Sequence, residues 1–220
     1  DMTKTRYNKV SVIGMGYIGL PTAAAMAGKG LTVLGCDINP EVVETINRGE
    51  IHIIEPDLDQ LVKEVVSACR LKVFLEPQEA DVYMIVVPTP FKFNREPDIS
   101  FVEQAVRSIL SKLKAGDLVI IESTSPVLTT EKMANIIYTS RPELKGVLHI
   151  TYCPERVLPG KVLYELEHND RVIGGLDEAS TKAAMDFYSI FVKGKLHATN
   201  ARTAEMCKLT ENSSRDVQIA

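Results

Sequence analysis

Apolar positions in this chain fall into short continuous runs, separated by longer stretches in which they recur at helical spacing. Val10 to Ile13 and Leu31 to Cys36 are runs of the first kind. They read as strands buried on both faces. Leu20 to Lys29, between them, is alanine-rich and reads as a helix. Asn39-Pro40 predicts a helix start, with Glu41 to Asn47 helical and Arg48-Gly49 ending it. Ile51 to Glu55 has no clear class. Pro56-Asp57 opens another helix to about Ala68, with Leu58, Leu61, Val62, Val65 and Val66 on one face. Leu71 to Leu75, Val82 to Val87, Leu118 to Ile121 and Leu148 to Tyr152 predict further strands. Helices are expected at Ser100 to Leu113, capped by Asp98 or Ser100, and at Thr129-Thr130 to about Tyr138, capped by that threonine pair.

Beyond these come a short strand at Arg171 to Ile173, a helix over Asp177 to Ile190 and an edge strand at Leu196 to Ala198. From Ala201 a helical pattern runs to Ala220 with no stop signal. Its Ala204, Cys207 and Leu209 are apolar and its Glu205, Lys208 and Glu211 are charged. No internal repeat is present. The alternation of strand and helix gives the fold class α/β: a Rossmann-type doubly wound, mostly parallel sheet over residues 1–200, followed by the start of a long helix at 201–220. The chain reads as truncated, ending inside or just past that helix.

The first strand runs directly into Gly14-Met15-Gly16-Tyr17-Ile18-Gly19, a GxGxxG turn ahead of a helix. Gly14 allows the tight turn, Gly16 lets a pyrophosphate approach the backbone, and Gly19 lets the helix pack on the strand. The helix N-terminus offers N–H groups and partial positive charge to phosphates. Asp37 ends the second strand, 18 residues past Gly19, against an expected spacing of about 20. Its carboxylate can accept from both adenine-ribose hydroxyls and would repel a 2′-phosphate, which favours NAD over NADP. Pro88-Thr89-Pro90 and Glu122-Ser123-Thr124-Ser125-Pro126 stop two later strands at their C-terminal ends, beside the crevice where such sheets bind ligands.

Composition narrows the partners. The formal net charge of −4, with no lysine/arginine run, argues against nucleic acid. No apolar stretch reaches the roughly 18 residues of a membrane span, and Asp1 to Lys9 carries no secretory signal. Cys36, Cys69, Cys153 and Cys207 are scattered without metal-like spacing, so no metal is expected. They read as reduced, mostly buried thiols of a cytoplasmic protein.

Five ordered stretches then resemble one family, the UDP-sugar 6-dehydrogenases. They are Gly14 to Pro21, Pro88 to Pro90, Glu122 to Pro126, Pro154-Glu155-Arg156-Val157-Leu158-Pro159-Gly160, and Glu205-Met206-Cys207-Lys208-Leu209-Thr210-Glu211-Asn212. Ile51 to Asp57, Pro154 to Gly160 and Arg202 to Lys208 most resemble its bacterial branch acting on UDP-N-acetyl-D-mannosamine. UDP-glucose dehydrogenases typically carry an acid where Pro159 stands and a Phe after the matching Glu. The resemblance implies oxidation of a primary alcohol to a carboxylate with two NAD per sugar, through an aldehyde trapped by a cysteine and hydrolysis of the resulting thioester.

Carried over by residue, the resemblance places Tyr17 and Ile18 at the pyrophosphate turn with Gly14, Gly16 and Gly19. Asp37 would bind the adenine ribose, and Thr89 and Thr124 would line the nicotinamide side. Glu155, Arg156 and Val157 would lie at the substrate or hydrolytic water. Lys208 would be the acid/base or oxyanion partner, with Asn212 beside it and Arg215 nearer the substrate. Lys208 and Asn212 stand one helical turn apart and so share a face, which without the resemblance would read as solvated. The resemblance also implies a homodimer through the helix from Ala201. Ser213-Ser214 departs from the pattern, where an aromatic usually follows Asn-Ser. A larger departure is the family's nucleophilic cysteine, which lies in a Gly-His-Cys motif that this chain lacks. None of His52, His149, His168 and His197 is followed by cysteine. The chain therefore reads as the cofactor half of such an enzyme, an NAD-binding module without turnover of its own. UDP-glucose or another UDP-sugar is the alternative substrate. A β-hydroxyacid or 6-phosphogluconate-type dehydrogenase is a further reading, against which Cys153-Pro154-Glu155-Arg156-Val157 argues.

Overall fold

The computed structural model describes residues 6–219, with side chains through residue 210. Strand β1 (Lys9–Ile13) leads through the glycine turn into helix α1 (Gly19–Gly28). Then follow β2 (Thr32–Cys36), α2 (Pro40–Asn47), α3 (Leu58–Ser67), β3 (Leu71–Phe74), β4 (Val82–Ile85), α4 (Ser100–Ile109) and β5 (Leu118–Ile121). After them come α5 (Thr129–Ser140), β6 (His149–Tyr152), α6 (Val162–His168), β7 (Arg171–Gly175), α7 (Glu178–Tyr188), β8 (Leu196–Asn200) and α8 (Ala201–Ile219). The strands form one sheet in the order β3-β2-β1-β4-β5-β6-β7-β8. The first six are mutually parallel, β7 runs antiparallel to β6, and β8 runs parallel to β7.

Side chains alternate across the sheet, as the two-residue period of a strand requires. Val82 and Met84 of β4, with Leu118 and Ile120 of β5, enter one core shared with α1, α3 and α7. Tyr83, Ile85, Val119 and Ile121 enter the other, under α4, α5 and Ala204 of α8. Helices on both faces make the sheet doubly wound. The chain reverses direction across the sheet between β1 and β4, which opens a crevice at the strand C-terminal ends.

Five expectations need correction. Helix α6 has no counterpart among the predicted elements. With 7 residues, it is too short for its Val162 and Leu166 to display a period. Strand β4 and helix α4 end sooner than expected, at Ile85 and Ile109. The cap of α5 is not its own threonine pair. Glu205 of α8 reaches across, accepting from the Leu128 and Thr130 N–H groups at 3.1 and 3.0 Å and from the Thr130 hydroxyl at 3.1 Å. A carboxylate satisfies those free donors and suits the positive end of the helix. Finally, Cys36 and Cys153 are buried but Cys69 and Cys207 are exposed.

Candidate functional site

The glycine turn shows why two of its three glycines lack a side chain and leaves the third open to solvent. Gly14 has φ +101°, and a Cβ there would stand 2.4 Å from the Val86 carbonyl oxygen. A Cβ on Gly19 would fall 1.7 Å from the Gly14 oxygen, so only glycine lets α1 start this close to β1. Around Gly16 nothing lies within 4 Å of that position. The backbone there is open to a ligand at a helix N-terminus, the arrangement that receives phosphate.

This turn floors a cleft of about 670 Å³. On the β2 side it is lined by Asp37 and Ile38, and on the β4–β6 side by Thr89, Ser123, Thr124 and Glu155. Asp37 is oriented by backbone donors: its Oδ2 accepts the Met15 N–H at 3.1 Å and its Oδ1 the Asn39 N–H at 2.9 Å. Each oxygen keeps a free acceptor site, enough for a pair of ribose hydroxyls. Thr89 and Thr124 are half-buried. The Ser123 hydroxyl donates to the Val87 carbonyl at 2.8 Å, tying together the strand ends that carry those threonines. The open turn, the helix N-terminus and the oriented carboxylate fit a dinucleotide without a 2′-phosphate.

Glu155 and Lys208 meet at the far end. Lys208 is only 4% exposed. Its Nζ donates to the Glu155 carbonyl at 2.9 Å and lies 3.9 Å from the Glu155 carboxylate. That carboxylate in turn accepts the Val157 N–H at 3.1 Å. A second cavity, of about 650 Å³, is lined by Pro154, Arg156, Val172, Arg202 and Lys208. Lys208 is therefore not on a solvated face: it and Glu205 are buried, while Met206 and Cys207 are exposed. Asn212 and Arg215 lie on the same helix, and their side chains fall outside the described residues.

The loop carrying Glu155, Arg156 and Val157 is pinned by residues to which sequence reasoning assigned no role. Glu165 accepts the Leu158 N–H at 2.7 Å, and the Asn169 side-chain amide donates to the Arg156 carbonyl. Beneath the same end, Glu122 and Arg171 form a buried pair at 3.5 Å. Tyr188 donates its hydroxyl to Glu122 at 2.9 Å, and the Arg171 guanidinium lies 4.9 Å from the Tyr188 ring centroid. Glu122 stood in a quoted stretch and Arg171 in a predicted strand, but nothing in their spacing pairs them. Burial pushes the Cys153 and Cys36 thiols each up to about 11. Both therefore stay protonated, and inert as nucleophiles, at neutral pH.

Among the described residues, no three His, Cys, Asp or Glu side chains could hold a metal ion, and no helix is long and apolar enough to cross a membrane.

Residues 8–192 match the model of the UDP-glucose/GDP-mannose dehydrogenase family, NAD binding domain. The chain is 55% identical over 222 residues to the UDP-N-acetyl-D-mannosamine dehydrogenase of Yersinia pestis, covering 97% of this chain and 53% of that protein. It is 50% identical to the NDP-N-acetyl-D-galactosaminuronic acid dehydrogenase of Ralstonia nicotianae, covering 97% and 52%. The structure of the UDP-N-acetyl-mannosamine dehydrogenase of Staphylococcus aureus superimposes with a TM-score of 0.92 at 44% identity, covering 95% of this chain and 52% of that one. The chain thus spans about half the length of the curated relatives it matches. With its glycine turn, the oriented Asp37 carboxylate and the strand order all in place, the chain belongs to the UDP-glucose/GDP-mannose dehydrogenase family and carries that family's NAD-binding domain.

Proposed function

We propose that this chain is the cofactor half of an enzyme that oxidises UDP-N-acetyl-D-mannosamine to UDP-N-acetyl-D-mannosaminuronate, a precursor for bacterial surface polysaccharide. The observation that carries the proposal is the buried Lys208 ammonium held against Glu155 beside the dinucleotide cleft. A lysine is almost never fully buried unless it is paired. Here one of its three donors is used on the Glu155 carbonyl, and the others remain for a reacting oxygen and the carboxylate.

NAD, when bound, supplies the hydride acceptor. Asp37 holds the adenine ribose, the Gly14–Gly19 turn with Tyr17 and Ile18 holds the pyrophosphate, and Thr89 and Thr124 border the nicotinamide. Lys208 stabilises negative charge developing on the sugar oxygen, and Glu155 orients that lysine and a water. Arg156, Val157, Asn212 and Arg215 complete the substrate side. Residues 1–200 make the NAD-binding domain, and 201–220 begin a connecting helix through which the cytoplasmic enzyme forms a homodimer. The nucleophilic cysteine then comes from outside this chain.

A panel of UDP-N-acetyl-D-mannosamine, UDP-N-acetyl-D-galactosamine, UDP-glucose and a hydroxyacid tests the proposal in the full-length enzyme. The first should show a kcat/KM at least about tenfold above the others, with the carboxylate product identified by mass spectrometry. The galactosamine sugar is included because of the name of the Ralstonia relative. A preference for UDP-glucose or for the hydroxyacid would overturn the proposal.

A further inference from the structure

Three loops far apart in the sequence converge on one buried carboxylate. Glu55, in the segment before α3, is 5% exposed. Its Oε1 accepts the hydroxyl hydrogen of Tyr17 and, at 2.7 Å, the N–H of Gly160. Tyr17 belongs to the dinucleotide turn. Gly160 closes the loop that carries Glu155, Arg156 and Val157, in a left-handed conformation with φ 88°. Burial pushes the Glu55 carboxyl up, but hydrogen bonds from Tyr17, Gly160 and Val162 outweigh it and hold the group below the usual carboxylate range. It is therefore ionised at neutral pH and accepts at full strength.

The loop needs such anchors because it has little apolar grip of its own. Leu158 is 53% exposed, and Arg156, Pro159 and Gly160 are exposed as well. Its other polar anchors, Glu165, Asn169 and Lys208, all lie later in the chain. Of these four anchors, Glu55 is the one that leads to the cofactor turn.

We propose that Glu55 is a positioning residue that latches the Pro154–Gly160 loop to the dinucleotide turn through Tyr17, so that the substrate side and the cofactor side are ordered together. The proposal rests on reading that loop as the substrate loop. A cofactor that stills Tyr17 then stills Gly160 through the shared carboxylate. By linkage, a ligand that orders the loop tightens the cofactor by the same factor.

Hydrogen–deuterium exchange on the protein, with and without NAD, tests the latch in wild type, Glu55→Ala, Glu55→Gln and Tyr17→Phe. Without cofactor, the peptide spanning 155–161 should exchange about tenfold faster in Glu55→Ala than in wild type, with the β1 to β6 peptides unchanged. Glu55→Gln keeps an acceptor oxygen and should recover most of the protection. Tyr17→Phe, altering a ring that is 37% exposed, should fall between and carries the test if Glu55→Ala does not fold. NAD should slow the loop further in wild type, yet leave it unaltered in Glu55→Ala although NAD still binds. A wild-type exchange rate in Glu55→Ala, or equal slowing by NAD in both, would overturn the proposal. A wild-type protein that binds no NAD would overturn the functional reading and the coupling with it. The cofactor-free rates distinguish that failure from a failure of the latch.

Discussion

Lys208→Ala is expected to lower turnover of the full-length enzyme by about a hundred- to a thousandfold while leaving NAD affinity nearly unchanged. The oxygen of the substrate gains negative charge as hydride leaves the carbon that bears it, and again as water attacks an acyl intermediate. A cation within hydrogen-bond reach stabilises those states more than the neutral ground states, and this difference accelerates the reaction. Lys208 meets the requirement because it is 4% exposed, so little water screens it, and because the Glu155 carbonyl at 2.9 Å fixes its position. Some loss of melting temperature should accompany the substitution, since that carbonyl loses its donor. Turnover is therefore compared per mole of folded protein, with NAD titration alongside. Asn212→Ala, one turn along the helix, should act in the same direction but less strongly. Near-normal turnover in Lys208→Ala would mean that the lysine only clamps the Glu155 loop.

Arg171→Met should cost about 3–5 kcal/mol of stability, because it leaves Glu122 as an uncompensated charge in the core. The pair is 3.5 Å apart, with Glu122 1% and Arg171 4% exposed, and Tyr188 is too weak a donor to replace a guanidinium. The pH dependence has a definite sign. Burial raises the Glu122 carboxyl above its ordinary range even with Arg171 present, and losing the arginine raises it further. The folded state then binds a proton that the unfolded state releases, between the ordinary carboxylate value and the raised one. Stability of the variant should therefore rise as pH falls through that window and be lost as pH rises. Glu122→Gln in the Arg171→Met background should recover much of the loss. Chemical denaturation at neutral and acidic pH checks all three statements. A cost below about 1 kcal/mol for Arg171→Met would show that the pair contributes little.

The sheet was legible in the sequence because each buried strand is a short apolar run with turn residues at its ends. Val82, Tyr83, Met84 and Ile85 belong together under any rule of hydrophobic patterning. The dinucleotide turn was legible because its glycines answer to backbone sterics, which spacing alone can report. Helix α6 was not, since two turns of helix offer too few positions to show a period. The burial of two charged residues of α8 was not legible in their pattern for a different reason. Charged residues on a helix usually face water, but Glu205 is recruited to cap α5 and Lys208 to hold Glu155, and both partners are more than fifty residues away. Glu55 stood within a stretch that matched the family, yet its role depends on Tyr17 and Gly160 meeting in space. No local pattern records such a meeting. The same holds for Glu122 and Arg171, which topology brings together by placing β7 antiparallel beside β6.

Calorimetric titration of this chain with NAD and with NADP, repeated on Asp37→Asn, tests the central claim most directly. Asp37 lines the cleft with one backbone N–H on each oxygen, so its carboxylate is already positioned for the ribose. The wild-type chain should bind NAD at least about tenfold more tightly than NADP, and Asp37→Asn should weaken NAD binding and narrow the gap. Equal affinity for the two cofactors, or no NAD binding at all, would contradict the account.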